Sequence, residues 1–368
     1  MEKTKKNIHV LHVMGAKSTG GAETFALRLI EAQYRDARFK VTCLVRRGSW
    51  MEKQLNILGI PTLTAPFSNF LDFRTKSIIL NAIEILEVDV VQGWMNRACK
   101  NIPVTDVPTL GRIGGYYKLK NYHSCHVVAG NTTKICDYIL EEGLDANEVA
   151  YLPNFTESSS VKEGDRERMR THLNIPEDAT ITIMAARLHT VKGVDIAIRA
   201  LEHLENTHLV VMGQGEQLQS LQYLAMEYKV IDRVHFVGWQ RHISPFVAAA
   251  DIWWAPSRKE PLGNIILDAW MHEKPVVASM TDGPSFLIEH EKTGLLFEIE
   301  NPEDLAEQTQ RLIDDKKMAS AIAQAGYKKA MANYEKEVVL TNYYDTYSDM
   351  IANKGYVNKK QYKGAKNG

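Results

Sequence analysis

The sequence is short of cysteine, of long apolar runs and of net charge, and each shortage closes off a class of protein. Its 368 residues include 4 cysteines. These are Cys43, Cys99, Cys125 and Cys136, none of them in a C-x-x-C spacing, so neither a zinc site nor a disulfide framework is expected and a reducing compartment is the natural setting. No apolar stretch approaches the roughly 18 residues that a membrane-spanning helix requires. The apolar run over 8–13 is too short for the core of a signal peptide, which makes a cytoplasmic location the expectation. With 44 Lys+Arg against 45 Asp+Glu, the formal net charge of -1 argues against a nucleic-acid binder, whose footprint is strongly basic. Two ligand motifs are missing as well. Gly15 and Gly20 have the spacing of a phosphate-binding P-loop, but Gly21-Ala22 follow where Lys-Ser/Thr is required, and no G-x-G-x-x-G occurs. There is no Asp-x-Asp pair to suggest a metal, and none is expected.

What is present is a globular composition, 45% hydrophobic and 24% charged, which rules out wholesale disorder. Short Val- and Ile-rich runs alternate with segments of helical period. Strands are predicted over 8–13, 41–45, 88–92 and 127–129, with helices over 22–33, 51–58 and 77–86. The period stops in the Pro-, Ser- and charge-rich stretch 151–164 and then restarts. The second series has strands over 180–185, 208–212, 234–237, 252–255 and 275–278, with helices over 194–204, 218–228 and 265–271. After Pro302 the chain reads as helix to about residue 352. Such alternation predicts an α/β fold of parallel sheets covered by helices. We expect two Rossmann-like, doubly wound domains facing each other across a cleft, with ligands bound at the carboxyl edges of the strands. The expected division is 1–155, a linker over 156–165, a second domain over 166–335, a helix over 336–352 returning to the first domain, and a basic flexible tail over 353–368. Charge follows the division: the balance is +2 over 1–165, -8 over 166–352 and +5 in the tail.

Four loops hold residues suited to an anionic sugar derivative. Gly20 and Gly21 stand before a predicted helix, where they serve either a tight turn or the close approach of backbone amides to an anion. Arg187 and Lys192 lie between a strand and a helix, and two cations there can neutralise a diphosphate leaving group without a metal. Gly213 and Gly215 turn the chain closely past a neighbour after the next strand. In Glu260-Pro-Leu-Gly-Asn264 the amides of Leu262, Gly263 and Asn264 open a helix and suit a phosphate. Glu260 is placed for sugar hydroxyls or developing positive charge, and Asp268, about a turn inside, for a ribose diol.

These residues resemble glycosyltransferase family 4. The resemblance rests on Arg187…Lys192-Gly193, Gly213-x-Gly215, Val237-Gly238, Ala249-Ala250-Asp251 and Glu260 followed by Asp268. Thr281-Asp-Gly-Pro284, Glu289 and Thr293-Gly294-Leu-Leu-Phe297 add to it, and Gly20-Gly21-Ala22-Glu23 and Leu152-Pro-Asn154 carry it into the first half. The resemblance implies a GT-B fold and a metal-independent, cofactor-free transferase that retains anomeric configuration. Arg187, Lys192 and Glu260 would be catalytic. Donor binding would fall to those three with Gly20, Gly21, Gly213, Gly215, Leu262, Gly263, Asn264 and Asp268. The donor would be a nucleotide sugar, UDP-linked rather than GDP-linked, and the acceptor a glycan or lipid-linked sugar, as in lipopolysaccharide or capsule assembly. Two departures stand out. Asp268 replaces the usual second Glu, and the segment around Thr109–Tyr117 lacks the His-Gly or His-Asp of many members. Arg112, Tyr116 and Lys118 in that segment are the candidates for acceptor binding, read as a loop. The competing readings are a sugar-nucleotide epimerase and a nucleotide-sugar-binding protein without catalysis. The basic positions Lys3, Lys5, Lys6, Arg46 and Arg47 suit contact with an anionic membrane surface.

Overall fold

The computed structural model describes residues 7–68, 72–158, 160–240 and 242–358; Lys3, Lys5, Lys6 and the tail from 359 onward lie outside them. The chain divides into two compact units, 1–154 with 336–368, and 155–335.

In the first unit, strands β1 (Ile8–Met14), β2 (Phe39–Arg46), β3 (Thr62–Ala65), β4 (Val90–Trp94), β5 (Thr109–Ile113), β6 (Val127–Gly130) and β7 (Val149–Tyr151) form one parallel sheet in the order β3-β2-β1-β4-β5-β6-β7. Every residue of β1 and of β4 is buried. Helices on both faces bury both sides of such a strand, which is why the run over 8–13 is continuously apolar rather than alternating. Between the strands lie α1 (Gly21–Arg35), α2 (Trp50–Ile57), α3 (Phe73–Ile85), α4 (Met95–Asn101) and α5 (Thr133–Glu141). Helix α1 turns Phe25, Ala26, Leu29, Ile30 and Gln33 inward, one stripe at helical period.

The second unit holds α6 (Asp165–Leu173), then β8 (Thr180–Ala185), α7 (Val194–Ala200), β9 (Thr207–Met212), α8 (Leu218–Glu227), β10 (Val234–Gly238), α9 (Ser244–Ala249), β11 (Ile252–Ala255), α10 (Asn264–Met271), β12 (Val276–Ser279), α11 (Asp282–Leu287), β13 (Leu295–Phe297), α12 (Pro302–Asp314) and α13 (Lys316–Asn333). Its parallel sheet has the order β10-β9-β8-β11-β12-β13. Trp253 and Trp254 on β11 are fully buried, one on each face, and head the two apolar clusters that sandwich the sheet. Both units therefore have the doubly wound order in which chain direction across the sheet reverses once. That reversal lies between β1 and β4 in the first unit and between β8 and β11 in the second, and crevices at such switch points are where ligands bind.

Helix α14 (Lys336–Ala352) completes the first unit although it comes last in the chain. Its Tyr343 and Tyr347 are fully buried, Tyr347 hydrogen-bonds Gln92 on β4, and Phe39 meets the rings of Tyr344 and Tyr347 edge-on.

The segment around Thr109 corrects one expectation. It is a central strand, β5, and not a loop. The reason is Arg112, which is 2% exposed. Its Nε donates to the Tyr343 hydroxyl at 2.9 Å, and one terminal nitrogen donates to Asn154 Oδ1 at 2.6 Å and to the Leu152 carbonyl at 3.2 Å. The guanidinium also lies 4.7 Å from the centroid of the Phe25 ring and 5.3 Å from that of Trp94. An arginine satisfied in this way reads as polar in sequence yet packs as core.

Candidate active site

The switch point of the second unit gathers two of the predicted loops. Lys192 follows β8 and Glu260 follows β11, 68 residues later, and these two strands are adjacent in the sheet. Lys192 Nζ meets Glu260 Oε2 at 2.5 Å, with side chains 32% and 12% exposed. The other carboxylate oxygen, Oε1, accepts from the amides of Gly263 at 3.2 Å and Leu262 at 3.4 Å, ahead of α10. Glu260 is thus held between a cation and a helix N-terminus, two positive environments for one negative group. The same contacts mean that the Leu262 and Gly263 amides, expected to meet a phosphate, are here met by Glu260. Asn264 is exposed at the first position of the helix.

Close backbone approach explains the glycines. Gly193, at φ +67, has no room for a Cβ because the Pro256 carbonyl fills that space. A Cβ on Gly213 would strike the Ala186 carbonyl, and one on Gly215 the Leu188 carbonyl. The neighbour that these two glycines turn past is therefore the loop carrying Arg187, to which the Gly213 loop also hydrogen-bonds through Leu188 N and Gln214 O at 3.0 Å. Arg187 is exposed in that loop.

Asp268 is half-buried on α10, and its Oδ1 accepts from the Thr156 hydroxyl at 2.7 Å. Thr156 is the second residue of the unit, and its amide donates to the Tyr334 carbonyl at 3.0 Å. Asp268 thus ties α10 to the segment by which the chain enters the unit.

Sequence reasoning missed the groups that hold this loop pair in place. Arg258 donates to both carboxylate oxygens of Asp195, at 2.8 and 2.7 Å, and to the Thr190 carbonyl at 2.8 Å. It also pairs with Glu300 at 2.5 Å. Burial alone would raise the Asp195 carboxyl, but the bonds from Arg258 outweigh it and hold the group below its ordinary range. Those bonds in turn raise Arg258 above its ordinary value. Gly283 donates its amide to the Glu260 carbonyl at 2.8 Å, and a Cβ there would collide with Leu262. Arg258 sits two residues from Glu260 and Asp195 three from Lys192, yet a lone Arg and Asp 63 residues apart leave no spacing signal.

In the first unit, the switch point between β1 and β4 opens a cavity of about 310 Å³ whose lining includes Met14, Lys17, Glu23, Trp94, Asn96 and Arg97. Gly20 and Gly21, both exposed, begin α1, where no side chain caps the helix. Arg112 is the core residue described above, which corrects its assignment to acceptor binding: its guanidinium is buried against Tyr343, Asn154 and Leu152. Tyr116, 49% exposed, stacks edge-on against Tyr138 at 5.4 Å, and Lys118 is exposed beside it. His12 is fully buried, bonded to Gln33 Oε1 at 2.8 Å and to the Trp94 indole N–H at 3.2 Å. Among the described residues no group of three or more His, Cys, Asp or Glu side chains is arranged to hold a metal ion.

Two doubly wound units, with a Lys–Glu pair at the switch point of the second, define a class that comparison with known proteins narrows. Residues 165–329 match the family model described as glycosyl transferases group 1. The chain is 27% identical over 342 residues to the lipopolysaccharide core biosynthesis glycosyltransferase LpsE of Rhizobium meliloti, an alignment covering 91% of this chain and 96% of that one. It is 27% identical over 336 residues to LpsD of the same organism, covering 90% and 96%. Among solved structures it superposes on HepE of Anabaena in complex with UDP with a TM-score of 0.81 at 20% identity, covering 93% of this chain and 100% of that one. For a glycosyltransferase of Rickettsia africae the TM-score is 0.83 at 18% identity, covering 94% and 99%. The chain is a glycosyltransferase with the GT-B fold. No helix among its described residues is long and apolar enough to cross a membrane.

Proposed function

We propose that the enzyme belongs to glycosyltransferase family 4 and transfers a sugar, with retention at the anomeric carbon, from a UDP-sugar to a glycan or lipid-linked acceptor in lipopolysaccharide assembly. The observation that carries this reading is the Lys192–Glu260 pair at the switch point, beside the exposed Arg187. Cleavage of the bond between the anomeric carbon and the diphosphate oxygen leaves negative charge on that oxygen. Arg187 and Lys192 stabilise it, more strongly in a site shielded from water than they would in solution. The acceptor oxygen forms the new bond to the same carbon, and its proton leaves with the departing diphosphate. Glu260 aligns Lys192 and holds the sugar, while Asp268 accepts from the ribose once Thr156 yields its place. This chemistry requires neither metal nor cofactor.

Support for the acceptor class comes from the relatives, both described as enzymes of lipopolysaccharide core biosynthesis. The same reading places transfer at the inner face of the cytoplasmic membrane, with Arg46, Arg47, Lys3, Lys5 and Lys6 contacting the anionic surface; flotation with anionic vesicles at low salt but not at high salt checks this. The central test is kinetic. Lys192→Gln and Glu260→Gln should each lower turnover by about 10²–10³-fold, the scale of removing one charge-stabilising donor. Far-UV circular dichroism should stay at wild-type values, and turnover unchanged in either variant would refute the assignment.

A further inference from the structure

Beside the switch-point cavity of the first unit lies a second one, of about 440 Å³, within the range of small-ligand sites. It is lined by Lys76 from the first turn of α3, by Arg97 and Lys100 one helical turn apart on α4, and by Asn96, Asn101 and Asn121. None of the three cations is ion-paired among the described residues. No acidic side chain lines the cavity among the described residues. The acid nearest to Lys76 in the chain, Asp72, is buried and committed elsewhere. Its oxygens accept from the amides of Ser68 at 2.7 Å and Thr75 at 3.0 Å and from the Thr75 hydroxyl at 2.6 Å. Three unneutralised cations around one concavity repel each other, and an anion in the cavity relieves that repulsion.

The remaining lining identifies what carries the anion. Asn96, which lines the cavity, has its Oδ1 buried without a hydrogen-bond partner. The amides of Asn101 and Asn121 both donate and accept, as sugar hydroxyls do. Among the described residues no aromatic ring lines the cavity to stack a nucleobase. Asn96 and Arg97 also line the switch-point cavity, so the two concavities share a wall at the carboxyl edge of the sheet.

We propose that this cavity seats the phosphate or carboxylate of an anionic glycan acceptor, with Lys76, Arg97 and Lys100 neutralising the charge and the asparagines reading hydroxyls. The proposal rests on the transferase reading above and names the acceptor's chemistry.

The experiment uses the full chain and a Lys76→Gln/Lys100→Gln variant, both positions being exposed on helices. Glucose 6-phosphate, glucuronate and glucose are titrated by calorimetry with UDP saturating, so that the nucleotide site is occupied. Glucose 6-phosphate or glucuronate should bind wild type saturably and bind the double variant at least tenfold more weakly. Glucose should bind far more weakly than either, and UDP should bind both proteins equally. Equal binding of the anionic sugars by the two proteins, or no saturable binding to wild type, overturns the proposal. Inorganic phosphate that binds as tightly as the anionic sugars also overturns it, because the asparagines would then read nothing. Phosphatidylglycerol vesicles form the last arm: if they capture wild type but not the variant while the sugars bind neither, the anion is a lipid headgroup and the glycan assignment falls. Failure of UDP to bind wild type refutes the donor reading instead and leaves the comparison between the two proteins intact.

Discussion

At the scale of single residues, the polar groups divide into those that hold the first unit together and those that face its ligand edges. Arg112 belongs to the first kind. Removing it takes one donor each from the Tyr343 hydroxyl, Asn154 Oδ1 and the Leu152 carbonyl in the core and opens a void beneath Phe25 and Trp94. Arg112→Ala should therefore destabilise the protein by about 3 kcal/mol or more in denaturant unfolding, the sum of a cavity and lost buried hydrogen bonds. A loss within 0.5 kcal/mol, about the size of a typical surface substitution, would contradict the core role. His12 adds a pH dependence. Burial pushes its pKa down to about 4, and the bond to Gln33 opposes the shift only in part. The native imidazole is then neutral where the unfolded one, near 6.5, takes a proton. Its contribution is complete above pH 6.5 and is lost as pH falls from 6.5 towards 4, up to about 3 kcal/mol. Unfolding free energies measured at pH 7.5 and pH 5 should differ less in His12→Asn than in wild type; equal differences would remove the assignment.

At the scale of elements, the alternation of strand and helix was legible because both faces of these sheets are covered and the strands are unbroken apolar runs. The short elements were not. Strand β5 carries Gly111 and Arg112 in five residues and looks like a loop until the partners of Arg112 are known, and they lie 40, 42 and 231 residues away in the chain. Strand β7 has three residues, too few to show a period. At the site, residue type and position after a strand picked out Lys192 and Glu260 separately, and only the sheet order shows that their strands are neighbours. The glycines were legible as close approaches, although not what they approach. Since a Cβ on Gly213 would occupy the space of the Ala186 carbonyl, Gly213→Ala should push the Arg187 loop outward. We expect UDP affinity to fall about tenfold or more with little change in far-UV circular dichroism, as when a positioning loop moves by about an ångström. UDP affinity equal to that of wild type would show that the loop contact does not matter.

At the scale of the whole molecule, the chain leaves the first unit after Asn154 and returns to it at Lys336. Ending the chain at Glu335 removes Tyr343 and Tyr347 from the core of the first unit and leaves the second unit's residues complete. Hydrogen exchange should then show lost protection in β1, β2, β4 and β5 and native protection in β8, β9 and β11. Native protection in β1 of the shortened chain would mean that α14 is dispensable. The same return has a consequence for biosynthesis. The strands of the first unit are made before the second unit, but the helix that covers Phe39, Gln92 and Arg112 is made after it. At about 5–20 residues per second, the half-built unit waits roughly 10–40 s while the second unit is translated and free to fold on its own. Throughout that interval a surface meant for tyrosines lies open on the ribosome. Exposed apolar surface of that kind is what chaperones shield until the covering helix arrives.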